Sequence, residues 1–511
     1  MHTRTGVLAF ILIGAFQWSS HGSARADVFT PPDDIRFRRV DILSEGVRLA
    51  GEVFGARRAA AAWGSDTISG WPHTAPGAFI GETRAPVQRE DRTRNVVKPL
   101  LKNDRPAYNT DRRPRPEARS RDLSPRIGFA PEGARVAMKI HDIETFLVNI
   151  GGQNRVLVRV LTDEHIHGTG EAYCVGPDEA TVQAIRYFKE WLIGQDPFRI
   201  EYLWRLLYNG SRYPGGSVLT AAISGIELAL WDLKGKALHV PVYQLLGGRC
   251  RDAVRIYTGA GTVDQAKQAV DRGFTAIKMG PQPAGGDRMP WGKVLAEAAR
   301  TMESMRKALG DEIDIALDPH AKIFESARAV ELAEAVRPYR PLFLEEAVRP
   351  ENVKAMARVR RKTTVPIATG EQLYTKYQFH DVMAGEAADI LQPDLCIVGG
   401  LLEAKKIAAE AEANCLTLAP HNPLGPVATA ACVHFAASTP NFVILEYVDP
   451  GQSGPLREMV LEPMKRKGGY LEIPDTPGLG IELDLNAIQN YPPRPWRRGP
   501  VFEVDGNIGF I

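Results

Sequence analysis

IDIALDPH (313–320) is a short apolar run that ends in an acidic residue, a proline and a histidine. In an extended strand, residues two apart point to the same side, so Asp318 and His320 are predicted to face the same space. Asp-Pro is also a common loop opener. The pair alone therefore leaves open whether it performs chemistry or only ends a strand, and the runs around it decide the question.

Similar runs recur along the chain, with helical stretches between them. The eight runs are VRIYTGA (254–260), AIKMG (276–280), IDIALDPH (313–320), LFLEEA (342–347), PIATGE (366–371), ADILQPDL (388–395), LTLAPHN (416–422) and FVILEY (442–447). Segments such as TVDQAKQAVDRG and LLEAKKIAAEAEAN are long enough for one helix each. Eight alternating units predict an α/β fold, a (β/α)₈ barrel whose active site lies at the carboxyl ends of the strands.

The predicted strand ends carry ionisable side chains from the third strand to the eighth. In chain order these are Asp318, Glu345, Glu371, Asp394, His421 and Glu446. Barrel strand ends converge on one small volume, where like charges repel and lose hydration unless a cation or a functional gain offsets the cost. The first three, all carboxylates, predict a site for one hard divalent ion, most simply Mg²⁺. A satisfied core histidine at His421 and a helix cap at Asp394 are the structural alternatives.

The rest of the sequence surrounds this barrel with further parts. The predicted parts are a signal peptide (1–26), an Arg/Pro-rich disordered extension (27–137), an α+β capping domain (138–250), the barrel (251–449) and a segment that returns to the cap (450–511). A basic start, an apolar core and a small-x-small site at Ala24-Arg25-Ala26 indicate the signal peptide. The alternative is that Met138 is the true start.

Composition excludes several classes of partner and site. The 511 residues carry 63 Lys and Arg against 61 Asp and Glu, a net charge of +2, so neither nucleic acid nor a membrane surface is expected as a partner. The five cysteines show no CxxC spacing, which argues against a zinc site or a disulfide framework. Unpaired cysteines favour a cytoplasmic protein, which we expect, whereas the cleavage-like site favours export.

Several motifs, taken in order and spacing from Met138 to the end, resemble the enolase superfamily. They are LIGQDPFRIEYLW, ISGIELALWDLKGKALHVPVYQLLGG, FLEEA, PIATGE, ILQPDL, APHNPLGPVA and PGLGIEL. The resemblance is to the mandelate racemase and muconate lactonizing enzyme branch, and most closely to its sugar-acid dehydratases of the galactonate dehydratase type. It implies a TIM-type barrel with a capping domain and a hydro-lyase that converts an aldonic or aldaric acid into a 2-keto-3-deoxy acid. A small sugar acid is then the substrate, and we expect a homo-oligomer.

The resemblance also implies a role for each strand-end residue. Asp318, Glu345 and Glu371 would bind one Mg²⁺, while Asp394 and His421 would form the base that removes the proton next to the substrate carboxylate. That removal creates an enediolate, whose charge the metal would stabilise. A histidine held by a buried aspartate is fixed in tautomer and raised in basicity, which suits a base.

Three further residues complete the implied site. His320, in an Asp-x-His motif, would protonate the departing hydroxyl. Lys278 and, if protonated, Glu446 would add hydrogen-bond donors near the substrate carboxylate. A structural lysine that faces the barrel wall is the alternative for Lys278.

Strand two departs from two family patterns. The racemases of this branch carry Lys-x-Lys there, whereas this chain has Lys278-Met279-Gly280 and lacks the second base. Galactonate dehydratases end the strand in asparagine, so Gly280 leaves the identity of the sugar acid open. The alternatives are an epimerase, racemase or cycloisomerase of the same superfamily and, in another class, a non-catalytic metal-binding or regulatory protein on the same barrel.

Overall fold

The computed structural model describes residues 36–44, 47–55, 138–173, 176–281, 289–496, 499, 501–502 and 505–509. The chain forms two units, Met1–Arg121 and Asp122–Ile511. In the first unit, β1 (Arg36–Ser44) and β2 (Val47–Gly55) pair as antiparallel strands. These strands fall within the extension that the sequence predicts to be disordered. The rest of that extension and the predicted signal peptide lie outside the described residues.

The second unit begins with a three-stranded antiparallel sheet and its helices, which we call the cap. The strands, in sheet order, are β3 (Ile140–Ile150), β4 (Gln153–Thr162) and β5 (His167–Ala172). The helices are α1 (Asp178–Leu192), α2 (Ile200–Gly210), α3 (Ser217–Leu238) and the short α4 (Val242–Leu245). Helix α3 is buried along most of its length and forms the core of the cap, as its nearly continuous apolar sequence requires.

Strand β5, HGTGEA, has no apolar alternation, and its two glycines explain why it is nevertheless a strand. A Cβ atom on Gly168 would lie 1.9 Å from the carbonyl oxygen of Ala229, and one on Gly170 would lie 2.0 Å from that of Gly225. Both oxygens belong to α3, so the sheet can approach this helix only where side chains are missing.

Eight parallel strands follow and form the barrel. They are β6 (Ala253–Gly259), β7 (Ala276–Met279), β8 (Asp314–Leu317), β9 (Leu344–Glu345), β10 (Ile367–Thr369), β11 (Ile390–Leu391), β12 (Thr417–Leu418) and β13 (Leu445–Glu446). Each pairs with its sequence neighbour from β6 to β12, and β13 pairs with β6. A parallel bridge between Leu418 and Phe442, with Val443 N–H donating to the Leu418 oxygen at 2.8 Å, joins β12 to the segment before β13. The circuit of paired strands is therefore closed.

The barrel interior is filled by one buried side chain from each strand or from the residue next to it. These side chains are Tyr257, Ala276, Ala316, Phe343, Ala368, Ile390, Ala419 and Ile444. Four alanines are combined with four larger side chains, which together fill a narrow barrel. The predicted barrel fold is confirmed, and its interior is a packed core, so any site must lie at one of its ends.

Helices cover the outside of the barrel, and the last segment runs back to the cap. The barrel helices are α5 (Val263–Asp271), α6 (Trp291–Leu309), α7 (Ser326–Val336), α8 (Val353–Arg360), α9 (Thr375–Ala384), α10 (Leu401–Ala413) and α11 (Pro426–Ala437). The elements after them are α12 (Pro455–Glu458), β14 (Arg466–Lys467), β15 (Tyr470–Glu472), α13 (Leu485–Ile488), β16 (Val501–Phe502) and β17 (Ile508–Gly509). Strand β15 pairs antiparallel with β6, which the sequence did not predict.

The carboxyl-terminal segment makes two kinds of contact with the cap sheet. Asn149 N–H donates to the Tyr491 oxygen at 3.0 Å, and the side chain of Asn154 bonds to the backbone of Arg494. The proposed boundaries of cap, barrel and carboxyl-terminal segment stay predictions. Among the described residues, no helix is both long and apolar enough to cross a membrane.

Candidate active site

Asp318 and His320 follow the carboxyl end of β8, but they do not lie in an extended strand. The strand ends at Leu317, and His320 adopts a left-handed backbone with φ 55°. Pro319 has no N–H, and Oδ1 of Asp318 accepts from the N–H of His320 at 2.8 Å, so the chain turns here. The predicted extended geometry is wrong. The two side chains still meet, because His320 Nε2 lies 3.2 Å from Asp318 Oδ2.

Three of the predicted strand-end carboxylates gather at one point. One ligand oxygen each of Asp318, Glu345 and Glu371 lies within 4.8 Å of the others. Asp318 and Glu345 are buried, and Glu371 is partly exposed. Asp318 Oδ2 and Glu371 Oε2 are buried oxygens that accept no hydrogen bond from the described residues, although a basic side chain stands at ion-pairing distance from each. Closely spaced oxygens of this kind suit a small hard cation.

Lys278 lies in the middle of this end of the barrel rather than in its wall. Its Nζ is 3.0 Å from Asp318 Oδ2, 2.8 Å from Glu345 Oε1 and 2.9 Å from Glu446 Oε1. Burial opposes the charge on Lys278, but the surrounding carboxylates, Glu345 foremost, outweigh it and raise its pKa well above the ordinary value. The lysine is therefore a fixed positive charge at the site.

Burial raises the pKa of both buried ligand carboxyls, but their net pKa shifts differ in direction. Burial and the neighbouring Asp318 raise the pKa of Glu345 well above its ordinary value. Burial also opposes the charge of Asp318, but Lys278 and His320 outweigh it and lower the pKa of that carboxyl. Of these two carboxyls, Glu345 is therefore the one whose ionisation is unfavourable, and a bound cation would favour its charged form.

His421 and Asp394 form the predicted pair. His421 Nδ1 lies 2.8 Å from Asp394 Oδ2, and both residues are buried. Because the aspartate accepts at Nδ1, the other nitrogen, Nε2, faces the site, 3.3 Å from Glu371 Oε2 and 3.9 Å from Glu446 Oε2. Burial lowers the pKa of His421, but Glu371, Asp394 and Glu446 outweigh it and raise the pKa to about 10. The imidazole therefore holds a proton firmly among these carboxylates.

Glu446 completes the cluster as an acceptor. Oε2 accepts from Asn422 N–H at 3.1 Å, and Oε1 accepts from Lys278. Burial opposes its charge, but Lys278 and His421 outweigh burial and lower the pKa of Glu446. Both basic side chains favour the ionised form of Glu446, in which it accepts; a donor role, which would need a protonated Glu446, stays a prediction.

The charges of the cluster do not balance. Five carboxylates, those of Asp318, Glu345, Glu371, Asp394 and Glu446, face the basic side chains of Lys278 and His421, and His320 stands 3.2 Å from Asp318 at the edge of the cluster. If the five carboxylates, Lys278 and His421 are ionised, three negative charges remain in excess among them, and a divalent cation reduces that excess to one. The charge of the cluster therefore fits the divalent ion that the sequence predicts.

Two buried residues that were not predicted from the sequence support the ligands. Gln392 donates from Nε2 to Glu345 Oε2 at 2.8 Å. Glu346 accepts from the Thr369 hydroxyl and from Gly370 N–H, which holds the end of β10 just before Glu371. Gln392 stands two residues before Asp394, so the strand period could have found it. Nothing in the sequence signals the contact of Glu346, which depends on a neighbouring strand.

Comparison with known families identifies the chain. Residues 134–247 match the description "Mandelate racemase / muconate lactonizing enzyme, N-terminal domain", and residues 261–487 match "Enolase C-terminal domain-like". The chain belongs to the mandelate racemase/muconate lactonizing enzyme family of the enolase superfamily. The resemblance drawn from the motifs is thereby confirmed.

The matches to individual relatives cover nearly the whole length of those relatives. A D-galactonate dehydratase of Verminephrobacter eiseniae is 37% identical over 385 residues, which are 73% of this chain and 99% of the relative. A D-galactonate dehydratase of Cronobacter sakazakii is 36% identical over 366 residues, 69% of this chain and 95% of the relative.

A solved structure shows the same similarity in three dimensions. It is an enolase of Agrobacterium radiobacter, described as a galactarate dehydratase candidate and crystallised with Na and L-malate. The identity is 40% and the TM-score 0.70, and the match covers 73% of this chain and all of that one.

Proposed function

We propose that this chain dehydrates an aldonic or aldaric acid, galactonate-like, to a 2-keto-3-deoxy acid in a Mg²⁺-dependent reaction. The observation that supports it most is the joint placement of three metal-suited carboxylates, a histidine–aspartate pair and a second histidine at one end of the barrel. The relatives confirm the class that the sequence predicts, a sugar-acid hydro-lyase. Which sugar acid is the substrate stays open.

Asp318, Glu345 and Glu371 would hold the Mg²⁺ in this proposal. When bound, the ion supplies positive charge beside the substrate carboxylate, which stabilises the negative charge that develops when the neighbouring proton leaves. Lys278 adds a second positive charge at the same place, within 3.0 Å of two of these carboxylates. It acts by charge, because carboxylates on three sides hold it protonated.

His421 is the proposed base, with Asp394 as the residue that orients it. Asp394 Oδ2 accepts from Nδ1, which leaves Nε2 as the nitrogen that faces the site and takes the proton. To act as a base, His421 must lose the proton that Glu371 and Glu446 now favour. Metal binding would withdraw the charge of Glu371 from the imidazole, so the base and the metal site are expected to work together.

His320 is the proposed acid for the departing hydroxyl. Its side chain is half exposed at the mouth of the barrel, with Nε2 held 3.2 Å from Asp318 Oδ2. Protonation of the hydroxyl completes the elimination: the C–O bond breaks, water leaves, and the enediolate electrons form the new double bond. The product enol then becomes the 2-keto acid.

Three other functions place different demands on the site. A racemase or an epimerase needs a second base opposite His421, yet among the described residues a Cβ at Gly280 would meet only the Asp318 backbone oxygen, at 3.9 Å. A cycloisomerase could work with His421 alone. A non-catalytic metal-binding or regulatory protein would not require two histidines beside the ligands. Homo-oligomer formation and a cytoplasmic location stay predictions.

A substrate screen tests the reaction. Aldonic and aldaric acids, including D-galactonate and galactarate, are incubated with the full chain and Mg²⁺, and 2-keto products are detected by their semicarbazone absorbance. The proposal expects product from at least one acid and none when a chelator removes the metal. Solvent deuterium exchange without any 2-keto product would favour the epimerase or cycloisomerase instead.

Two histidine variants then separate the proposed roles. His421→Asn should abolish both dehydration and exchange of the proton next to the carboxylate, because the enediolate never forms. His320→Asn should block dehydration but leave exchange, because the enediolate still forms and takes its proton back. Losses of about 10²- to 10⁴-fold are expected for such groups. Exchange that vanishes in the His320 variant and survives in the His421 variant would reverse the assignment.

A further inference from the structure

The loops that carry Asp394 and His421 lead into two helices that share an unusual start. Helix α10 begins after Gly400 and α11 after Gly425, and neither glycine has a side chain to cap the helix. The first N–H groups of a helix need an acceptor, and Ser, Thr, Asp or Asn at the first position usually provides it. In both helices a glutamate of the cap provides it instead.

Glu227, on α3 of the cap, serves helix α10. Its Oε2 accepts from Leu401 N–H at 2.8 Å and its Oε1 from Leu402 N–H at 2.9 Å. Glu171, at the end of cap strand β5, serves helix α11 in the same way, accepting from Gly425 N–H at 2.8 Å and Ala428 N–H at 3.0 Å. Both carboxylates are almost completely buried.

The two glycines are required by this arrangement. A Cβ at Gly400 would lie 2.0 Å from Glu227 Oε2, and one at Gly425 would lie 2.6 Å from both carboxylate oxygens of Glu171. An ordinary capping side chain at either position would displace the glutamate. Helices α10 and α11 therefore have no capping side chain of their own at their first residue, and the cap domain supplies the acceptors for their first N–H groups.

Further cap residues hold the same two loops. Between Asp394 and α10, Ser224 Oγ accepts from Gly399 N–H at 2.9 Å, and Trp204 Nε1–H donates to the Gly399 oxygen at 2.9 Å. After His421, the guanidinium of Arg155 donates to the Pro423 oxygen at 3.1 Å. Each loop is thus held by its glutamate and by at least one other cap side chain.

We propose that Glu171 and Glu227 are positioning residues that set the contact between His421 and Asp394 from the cap. Each fixes one of the two loops that carry the pair, so the 2.8 Å separation of Nδ1 and Oδ2 depends on both. This inference deepens the proposed function and rests on it for its catalytic consequence. Its structural consequence, the geometry of the pair, stands independently of the reaction.

Burial affects the ionisation of both glutamates. Burial raises the pKa of Glu227 to about 8 and also raises that of Glu171, while the helix N–H groups oppose this rise. The N–H groups of the helix start stabilise each carboxylate, together with Trp231 Nε1–H, which donates to Glu227 at 2.6 Å, and the charge of Arg155 near Glu171. A neutral amide in its place would present an NH₂ group to one of the N–H donors and loosen the loop.

Glu171→Gln and Glu227→Gln, made in the full chain with Mg²⁺ supplied, test the inference. The first measurement is the low-field proton NMR signal of His421 Nδ1–H, with histidines isotopically labelled and His421→Asn to assign it. The second is the kinetics with D-galactonate, or with galactarate if only that acid is dehydrated. We expect the signal to shift or broaden, and kcat to fall about tenfold or more with KM within about twofold, because misplaced catalytic groups cost rate rather than binding.

Asp232→Asn is the matched control. Asp232 is also a fully buried cap carboxylate that accepts from backbone N–H groups, those of Thr169 and Leu479, but it binds neither of the two loops. This variant should lower the melting temperature and leave the NMR signal and kcat unchanged. If Glu227→Gln does not fold, Ser224→Ala replaces it, with the same expected direction and a smaller change.

The outcomes separate the inference from the proposed function. If both glutamate variants keep the wild-type signal and kcat and only melt earlier, as the control does, the residues are merely structural and the inference is wrong. If the wild type dehydrates neither acid, the proposed function fails, and the NMR signal alone decides whether the cap sets the histidine–aspartate contact.

Discussion

Replacing Glu345 by glutamine should stabilise the protein in the absence of Mg²⁺, which is the reverse of what a buried substitution usually does. Glu345 is fully buried, and both burial and Asp318 raise its pKa, so its charge is costly. The amide keeps the shape and still accepts from Lys278. Gln392, whose Oε1 has no hydrogen-bond partner in the described part of the chain, can rotate its amide to accept from the new NH₂ group. Lys278 also retains its other carboxylate contacts.

The expected change in melting temperature follows from the cost of the Glu345 charge and from the length of the folded unit, Asp122–Ile511. If burial raises a pKa by one, keeping the group ionised in the folded state costs about 1.4 kcal/mol. For a folded unit the size of Asp122–Ile511, this corresponds to roughly 2 °C in melting temperature. Mg²⁺ at about one hundred times its Kd adds about 2.7 kcal/mol to the wild type, or about 3 °C. The variant lacks one ligand and should show little of that shift. Scanning calorimetry with chelator and with Mg²⁺ measures both quantities.

Glu403→Gln is the control for this prediction. Glu403 is equally buried but lies between Lys376 and Lys406, at 3.1 and 2.9 Å, away from the barrel mouth. Its loss leaves two ammonium groups short of a partner, so the melting temperature should fall while the Mg²⁺ shift stays intact. A Glu345→Gln protein that melts lower without metal and keeps the full Mg²⁺ shift would refute the reasoning about this carboxylate.

Four further outcomes are expected. Lys278→Met removes the cation among its carboxylate partners, so the metal-free protein should melt lower and Mg²⁺ should bind more tightly by titration calorimetry; weaker binding would contradict the charge balance. Burial lowers the pKa of His434 to about 4, so its contribution to stability is complete above about pH 6.5 and is lost as pH falls towards 4. Urea unfolding should show about 2 kcal/mol of this loss between pH 7 and 5, and His434→Asn should not show it. Gly170→Ala, which meets a backbone oxygen at 2.0 Å, should cost more than about 2 kcal/mol of unfolding free energy, whereas Gly292→Ala, with open space around it, should cost nothing. Amino-terminal sequencing of the native protein should give a start near Met138, and a start at residue 27 would instead establish export.

The sequence predicted the barrel and most of the site because both depend on local periodicity. Short apolar runs at a regular spacing specify parallel strands, and the fold brings their carboxyl ends together whatever the side chains are. Asp318, Glu345 and Glu371 could therefore be grouped before any distance was known. The resemblance to the enolase superfamily, rather than periodicity, implied that His421 pairs with Asp394, and the structure has Nδ1 2.8 Å from Oδ2.

What the sequence could not predict depends on contacts between distant segments. Pro319 and the Asp318 side chain end β8 early, so His320 reaches the site from a turn rather than from a strand. Lys278 could equally have faced the wall, and only the three carboxylates around it decide its direction. Strand β5 has no apolar pattern, because its glycines are required by contact with a helix about sixty residues further along the chain.

Repulsion between like charges at the barrel mouth connects the charge of this site with the docking of the cap. A cluster with an excess of negative charge favours separation of the loops that bear it, and His421 and Asp394 stand on two of these loops. The barrel strands that carry them are only two residues long, so the strands alone hold the loops weakly. The cap supplies the missing restraint by binding the helix starts that follow each loop. A site that concentrates charge therefore needs both a cation within it and a rigid neighbour around it, and this chain obtains the second from Glu171 and Glu227.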